Sequence, residues 1–235
     1  MIAPIALVRN PRLPAREAPP IPPNPHPLEA ALIVGICFGW FIAISVAAVA
    51  AGFPRHGGGR FDDASLIWLI VTELVLGSLA LVVLRARGYV LSELLPTPTW
   101  RGCGLGLLLY VVAAFAWSAV AHLFPLSELA RQPVAEMVSE RHVTLPVIIA
   151  LGMVNGLYEE TALLGYLQRG FRAAGASFAI GLSVLVRVLY HLYQGPIGAL
   201  SMLVYGIVVG LFYWRTGKLW PAVFAHTLAD ALALA

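Results

Sequence analysis

The chain alternates between long apolar runs and short polar stretches. Runs fall at 28–53, 65–84, 103–124, 143–168, 177–192, 196–214 and 219–235. A helix crossing a bilayer needs about 20 such residues. In lipid only helices or closed barrels satisfy their backbone hydrogen bonds, and the runs lack the ten-residue alternation of a barrel strand. The pattern predicts an all-α, polytopic transmembrane helix bundle of about seven spans. Three regions follow: a Pro-rich, disordered tail over 1–27, N-terminal transmembrane helices and loops over 28–142, and the last four runs as a helical core over 143–235. Nine of the seventeen prolines fall in the tail, and its opening apolar stretch is too short and proline-broken for a signal-peptide core. Residues 88–101, with Pro96, Pro98 and Trp100, read as an interfacial segment. Residues 125–142, with Glu128, Arg131, Glu136, Glu140 and Arg141, read as a surface helix. Gly152 with Gly156, and Gly206 with Gly210, offer small faces for close helix contact.

Composition narrows the class. Hydrophobic residues make up 60% and charged residues 11% of the 235, with a mean hydropathy of +0.83. A soluble domain carries about 25% charged residues, so a water-soluble globule is excluded. A pI of 9.1 rests here on a surplus of three charges, too few for a nucleic-acid partner. The bilayer is the expected surrounding; the Arg-rich, Lys-poor composition is compatible with a GC-rich bacterium, and a bacterial cytoplasmic membrane is the expected location. Counting Lys and Arg between runs with the N-terminus in the cytoplasm places ten inside and four outside, which sets the expected orientation. Cys37 and Cys103 lie in or beside apolar runs without redox or zinc spacing and read as packing residues.

Charge inside a span is costly and needs a partner or a purpose. The set is short: Glu73, Glu159, Glu160, Arg187, His191, His226 and Asp230. Neighbouring helix positions point about 100° apart, so one of Glu159 and Glu160 can face a cavity while the other braces a helix. Asn155, one turn before Glu159, is placed to orient it or a water. Arg187 must find an anion, and the Glu pair is the obvious supply. His191 follows Arg187 by one turn. His226 and Asp230 share a face four residues apart, where the carboxylate can accept from the imidazole. Glu73 is expected to make a buried structural contact, with Arg187 as its candidate partner. His122 reads as interfacial.

A Glu pair, a His, and a His with an Asp on three helices are parts for activating water. Zincin, serine-elbow and Gly-Asp aspartyl patterns are absent from the sequence. The same residue types also build proton or ion relays in transporters, so a transporter component stays open. Depth is in conflict: Glu159 follows about 16 apolar residues and His191 ends its run, which in simple crossings puts them on opposite sides. A re-entrant turn at Gln194-Gly195-Pro196 is one resolution.

Three stretches occur in a familiar order: Tyr158-Glu159-Glu160-Thr161 through Gln168, Arg187-Val188-Leu189-Tyr190-His191, and His226-Thr227-Leu228-Ala229-Asp230. Together they resemble the motifs of the CPBP family, also called the CAAX protease and bacteriocin-processing or Abi family. The resemblance covers 143 to the C-terminus. It implies an intramembrane endopeptidase acting on a peptide or protein substrate in or at the membrane. Glu159 would be the water-activating base and Glu160 its support. His191 and His226 would hold water, the oxyanion or a metal, and Asp230 would complete the third motif. His191, His226 and Glu159 suit zinc, whereas a His-water-Glu arrangement suits a metal-free scheme equally. The family's Arg after the Glu pair is replaced by Leu164, and its Phe in the second motif by Arg187. The expectation is that the cation has moved to the neighbouring helix and still pairs with the Glu pair. The alternative is a catalytically inactive membrane binding or immunity protein.

Overall fold

The computed structural model describes residues 25–53, 61–130, 132–139 and 143–235. Most of the expected disordered tail lies outside the described residues. So do Arg9, Arg12, Arg16, Arg55, Arg60, Arg131 and Arg141, half of the cations behind the expected orientation, and Glu140 of the expected surface helix.

Every apolar run is a helix. They are α1 (Pro27–Ala50), α2 (Asp63–Ala86), α3 (Leu91–Leu94), α4 (Trp100–Ala121), α5 (Leu126–Ala130), α6 (Pro133–Ser139), α7 (Leu145–Glu160), α8 (Ala176–Tyr190), α9 (Pro196–Thr216) and α10 (Leu219–Leu234). Helix α7 continues as a π-helix over Thr161–Gln168. Five helical stretches are long and apolar enough to cross a membrane: α1, α2, α4, α7 with its π-helical extension, and α9. The apolar helices α8 and α10 have 15 and 16 residues. The expected interfacial segment contains the single turn of α3 and the first residues of α4, and the expected surface helix is two short pieces, α5 and α6. Local sequence explains the boundaries. At the start of α2 the Asp62 carboxylate accepts from the Ser65 amide (2.7 Å) while the Ser65 hydroxyl accepts from the Asp62 amide (3.1 Å), a reciprocal cap. Those Ser65 bonds hold the Asp62 carboxyl below its ordinary range. Pro27, Pro146 and Pro196 stand in the first turns of α1, α7 and α9, where the missing N–H costs nothing.

The seven long helices contact one another in a closed cycle, α1–α2–α7–α10–α4–α9–α8 and back to α1. The π-helical segment packs against α8, α9 and α10. Large apolar side chains such as Trp68 (73% exposed) and Phe115 (74%) point outward, while buried charge points in. That inversion is what lipid as solvent demands. The glycine pairs make the closest approaches. A Cβ on Gly152 would stand 2.8 Å from the Thr227 carbonyl oxygen, and one on Gly156 2.9 Å from that of Val223. Thr227 also donates its hydroxyl to the Gly152 carbonyl across the same seam (3.0 Å). Gly156→Leu is therefore expected to lower stability by about 1–3 kcal/mol, read as a fall in the thermal unfolding midpoint in detergent. Gly35→Ala, where a Cβ meets nothing within 4 Å, should leave the midpoint unchanged or slightly raised.

The depth conflict is resolved by helix length. The Glu pair does not end its span: eight more helical residues follow in Thr161–Gln168. Helix α8 rises only about 22 Å at 1.5 Å per residue, less than the hydrocarbon thickness of about 30 Å. Its end can therefore lie within the bilayer, with Arg187 and Tyr190 at the level of Glu159. The chain then turns through Leu192–Gln194 and Gly195, whose φ of 91° only glycine adopts at ease. Non-helical backbone at such depth needs protein partners, and it has them. Ser45 of α1 donates to the Tyr190 carbonyl (2.7 Å), and Gln132 accepts from the Ile197 amide at the start of α9 (3.0 Å).

Candidate functional site

Arg187 is at the centre, 1% exposed. Its Nη1 donates to Glu159 Oε2 (3.1 Å) and its Nη2 to both oxygens of Glu160 (2.8 and 2.9 Å). The expected pairing of the relocated cation is thus present, and it engages both carboxylates rather than one. Gly206 makes room: a Cβ there would stand 3.3 Å from Arg187 Cδ. The guanidinium carbon also lies 5.3 Å from the centre of the Tyr205 ring, within cation–π range. Position 164 offers no such setting. Leu164 is 1% exposed in an apolar cluster with Leu109, Val209, Leu219, Ala222 and Val223.

The two glutamates differ in one decisive respect. Glu160 is fully buried with both oxygens engaged, since His226 Nδ1 also donates to Oε1 (2.7 Å). Glu159 receives Arg187 Nη1 and the Tyr190 hydroxyl on Oε2 alone. Among the described residues its Oε1 is left uncommitted. Tyr190 was quoted in the second stretch but given no task by the sequence reading; its place one residue before His191 was the only signal. Its ring stacks on Phe38 of α1 at 4.7 Å, which fixes the hydroxyl toward Glu159.

The histidines are oriented by different partners. A carboxylate only accepts, so His226 carries its proton on Nδ1 toward Glu160. Its Nε2 then faces a gap, 3.8 Å from Glu159 Oε2 and 3.7 Å from Asp230 Oδ2. The direct His226–Asp230 hydrogen bond expected from their spacing is not formed, because Glu160 holds the ring by its other nitrogen. Asn155 likewise orients Asp230 (Nδ2 to Oδ2, 2.9 Å) rather than Glu159. His191 donates Nδ1–H to the Arg187 carbonyl (3.0 Å), which leaves its Nε2 lone pair unengaged. Glu73 corrects another expectation. No ion pair joins it to Arg187 among the described residues, since Glu159 and Glu160 occupy the guanidinium.

Arg187, Glu159, Glu160, Tyr190, His226, Asp230 and Asn155 thus form one connected network drawn from α7, α8 and α10, with His191 attached through the Arg187 backbone. A π-helix beginning directly after the Glu pair is a recurrent companion of functional sites, and no residue pattern announced it. Among the described residues no group of three His, Cys, Asp or Glu side chains is arranged to hold a metal ion. The guanidinium stands against both carboxylates, where a divalent cation would be repelled, so His191, His226 and Glu159 do not fit zinc.

The arrangement defines a class first: a buried cluster of ionisable side chains inside a bundle of apolar helices, with one Glu159 oxygen uncommitted among the described residues and the His226 imidazole oriented by Glu160. Residues 141–232 match the family model of the Type II CAAX prenyl endopeptidase Rce1-like proteins. That stretch contains all three motif segments. No curated protein and no solved structure matches the chain. With five helices able to cross a bilayer, the chain is an integral membrane protein.

Proposed function

We propose that the protein is an intramembrane endopeptidase of the CPBP type that hydrolyses a peptide bond by glutamate-activated water, without a metal. The single observation that carries this reading is the asymmetry of the Glu pair: Glu160 is saturated by Arg187 and His226, while Glu159 keeps Oε1 uncommitted and stands with its Oε2 3.8 Å from His226 Nε2. In this reading a water sits beside His226 Nε2, which stands 3.8 Å from Glu159 Oε2 and 3.7 Å from Asp230 Oδ2, and Glu159 Oε1 is the oxygen left to accept its proton. Glu159 takes one proton from that water as its oxygen bonds to the scissile carbonyl carbon. The carbon–nitrogen bond then breaks as Glu159 returns the proton to the leaving amine. Glu160 and Arg187 position Glu159 and His226, and Asn155 positions Asp230. His191 Nε2 is a second acceptor for the water or the substrate amide. The match to a family of prenyl endopeptidases supports a protease acting at the membrane; a bacterial cytoplasmic membrane with the N-terminus inside remains the proposed location.

Clustering favours this over a proton relay, which spaces its polar groups across the bilayer, whereas these are joined in one network. The test is cleavage of an apolar peptide library by the protein in lipid nanodiscs, with and without chelator. Turnover that survives the chelator is expected. Loss on chelation and recovery with zinc would overturn the metal-free scheme, and absence of any cleavage would favour the binding or immunity reading.

A further inference from the structure

A tyrosine stands directly before Glu159 and another directly before His191: Tyr158 and Tyr190. One side chain of α1 touches both. The Phe38 ring lies flat on that of Tyr190, with centroids 4.7 Å and planes 9° apart, and meets that of Tyr158 at 5.7 Å and 60°. Phe38 is 1% exposed and is itself held in place, because the Tyr158 hydroxyl donates to the carbonyl of the preceding residue, Cys37. Tyr158 is confined from α2, where a Cβ on Gly77 would stand 3.1 Å from its ring. Two turns beyond Phe38 on the same face of α1, the buried Ser45 hydroxyl donates to the Tyr190 carbonyl (2.7 Å). Helix α1 therefore holds Tyr190 twice, by its ring and by its backbone.

What is held is the donor to Glu159. The Tyr190 hydroxyl lies on the axis of its ring, so the two side-chain torsions decide where it points, and a flat stack restrains both. It donates to Glu159 Oε2, the oxygen that also receives Arg187 Nη1. With that second donor in place, Oε2 is the engaged oxygen and Oε1 the spare one. With Arg187 Nη1 alone the carboxylate could turn and offer either. Any bulky apolar side chain would fill the space of Phe38, but only a flat ring keeps the plane of Tyr190 fixed. We propose that Phe38, with Ser45 as its second hold, is a positioning residue for the hydrolysis: through Tyr190 it keeps Glu159 Oε2 bonded and Oε1 turned to the water. Helix α1 lies outside the family match over 141–232, so the machinery of this chain extends beyond the matched residues. The effect on cleavage rests on the proposed hydrolysis, whereas the hold of α1 on the Tyr190–Glu159 bond does not.

A double-mutant cycle in the full chain, in phosphatidylethanolamine–phosphatidylglycerol nanodiscs, separates positioning from packing. Tyr190→Phe keeps the stacked ring and removes only the hydroxyl. It is expected to lower the thermal unfolding midpoint, and to lower it by less than half as much once Phe38→Leu has already loosened the bond. Ser45→Ala is the milder variant, read in the same cycle should Phe38→Leu fail to fold, and is expected to show the same shortfall. Ile33→Ala, which empties a 2% exposed position of the same helix and apolar cluster, should leave the cost of Tyr190→Phe unchanged. Turnover of one peptide from the cleaved library is the second readout. Phe38→Leu should lower kcat about tenfold with KM within about twofold, the mark of misplaced groups rather than lost binding. In the Tyr190→Phe protein it should lower kcat by no more than about twofold. A cost of Tyr190→Phe that is the same with and without Phe38→Leu and Ser45→Ala would overturn the proposal. So would an equal fall in kcat from Phe38→Leu in both backgrounds. Absence of cleavage by the unaltered protein counts against the hydrolysis alone, and the midpoint cycle then decides the hold of α1 by itself.

Discussion

Arg187→Met is expected to lower stability by about 3–5 kcal/mol, the range for removing one partner of a buried ion pair, and to abolish any activity with it. Among the described residues Arg187 is the one arginine or lysine bonded to Glu159 and Glu160, and both glutamates are at most 5% exposed. Its removal leaves two charges in low dielectric beside each other with only the Tyr190 hydroxyl and the His226 imidazole to answer them. Arg187→Lys should recover only part of the loss, because an ammonium cannot reproduce the fork that spans two side chains. Adding Glu160→Gln to Arg187→Met should recover stability relative to Arg187→Met alone, since one uncompensated charge is gone. Thermal unfolding in nanodiscs checks the series. A midpoint unchanged in Arg187→Met would mean that the carboxylates do not depend on this cation.

Glu159→Gln and Glu160→Gln should separate activity from stability. Glu159 uses only Oε2 for its bonds, so an amide can turn its oxygen to Arg187 and Tyr190 and leave the nitrogen on the uncommitted side. The fold should lose no more than about 1 kcal/mol, whereas loss of the base should slow cleavage by about 10²–10⁴-fold. Glu160 accepts on both oxygens, so an amide nitrogen there must face either Arg187 or His226, donor against donor. Glu160→Gln should therefore cost about 1.5–3 kcal/mol, the scale of a hydrogen bond to a charged group. Thermal midpoints and turnover of the same peptide substrate, measured side by side, decide the matter. Wild-type turnover in Glu159→Gln would remove it from the role of base.

Much of this was legible along the chain. Each of the seven apolar runs is a helix because sustained apolar length leaves a backbone in lipid no other option. The short set of ionisable residues inside the runs, Glu159, Glu160, Arg187, His191, His226 and Asp230, holds the site because charge in a span must find a partner. The glycine pairs mark the α7–α10 and α8–α9 seams, since only a missing Cβ permits such approach. Partner choice was not legible. Spacing on one helix paired His226 with Asp230 and Asn155 with Glu159, yet neither hydrogen bond forms, because Glu160 and Asp230 approach from other helices with better geometry. Glu73 and Arg187 looked like complementary charges and stay apart for the same reason.

The sequence by itself determined that this is a helical membrane protein whose scarce charge lies in three short stretches. It also placed the cation of the site on Arg187 rather than at position 164, since mid-span charge admits few partners. The tertiary structure alone decided which glutamate is saturated and which keeps a free oxygen. That difference depends on where α8 stops and on the π-helical winding after Glu160, both set by packing between helices rather than by residue order along one. A short α8, held at its end by Ser45 and turned by Gly195, brings Arg187, Tyr190 and His191 to the depth of the Glu pair.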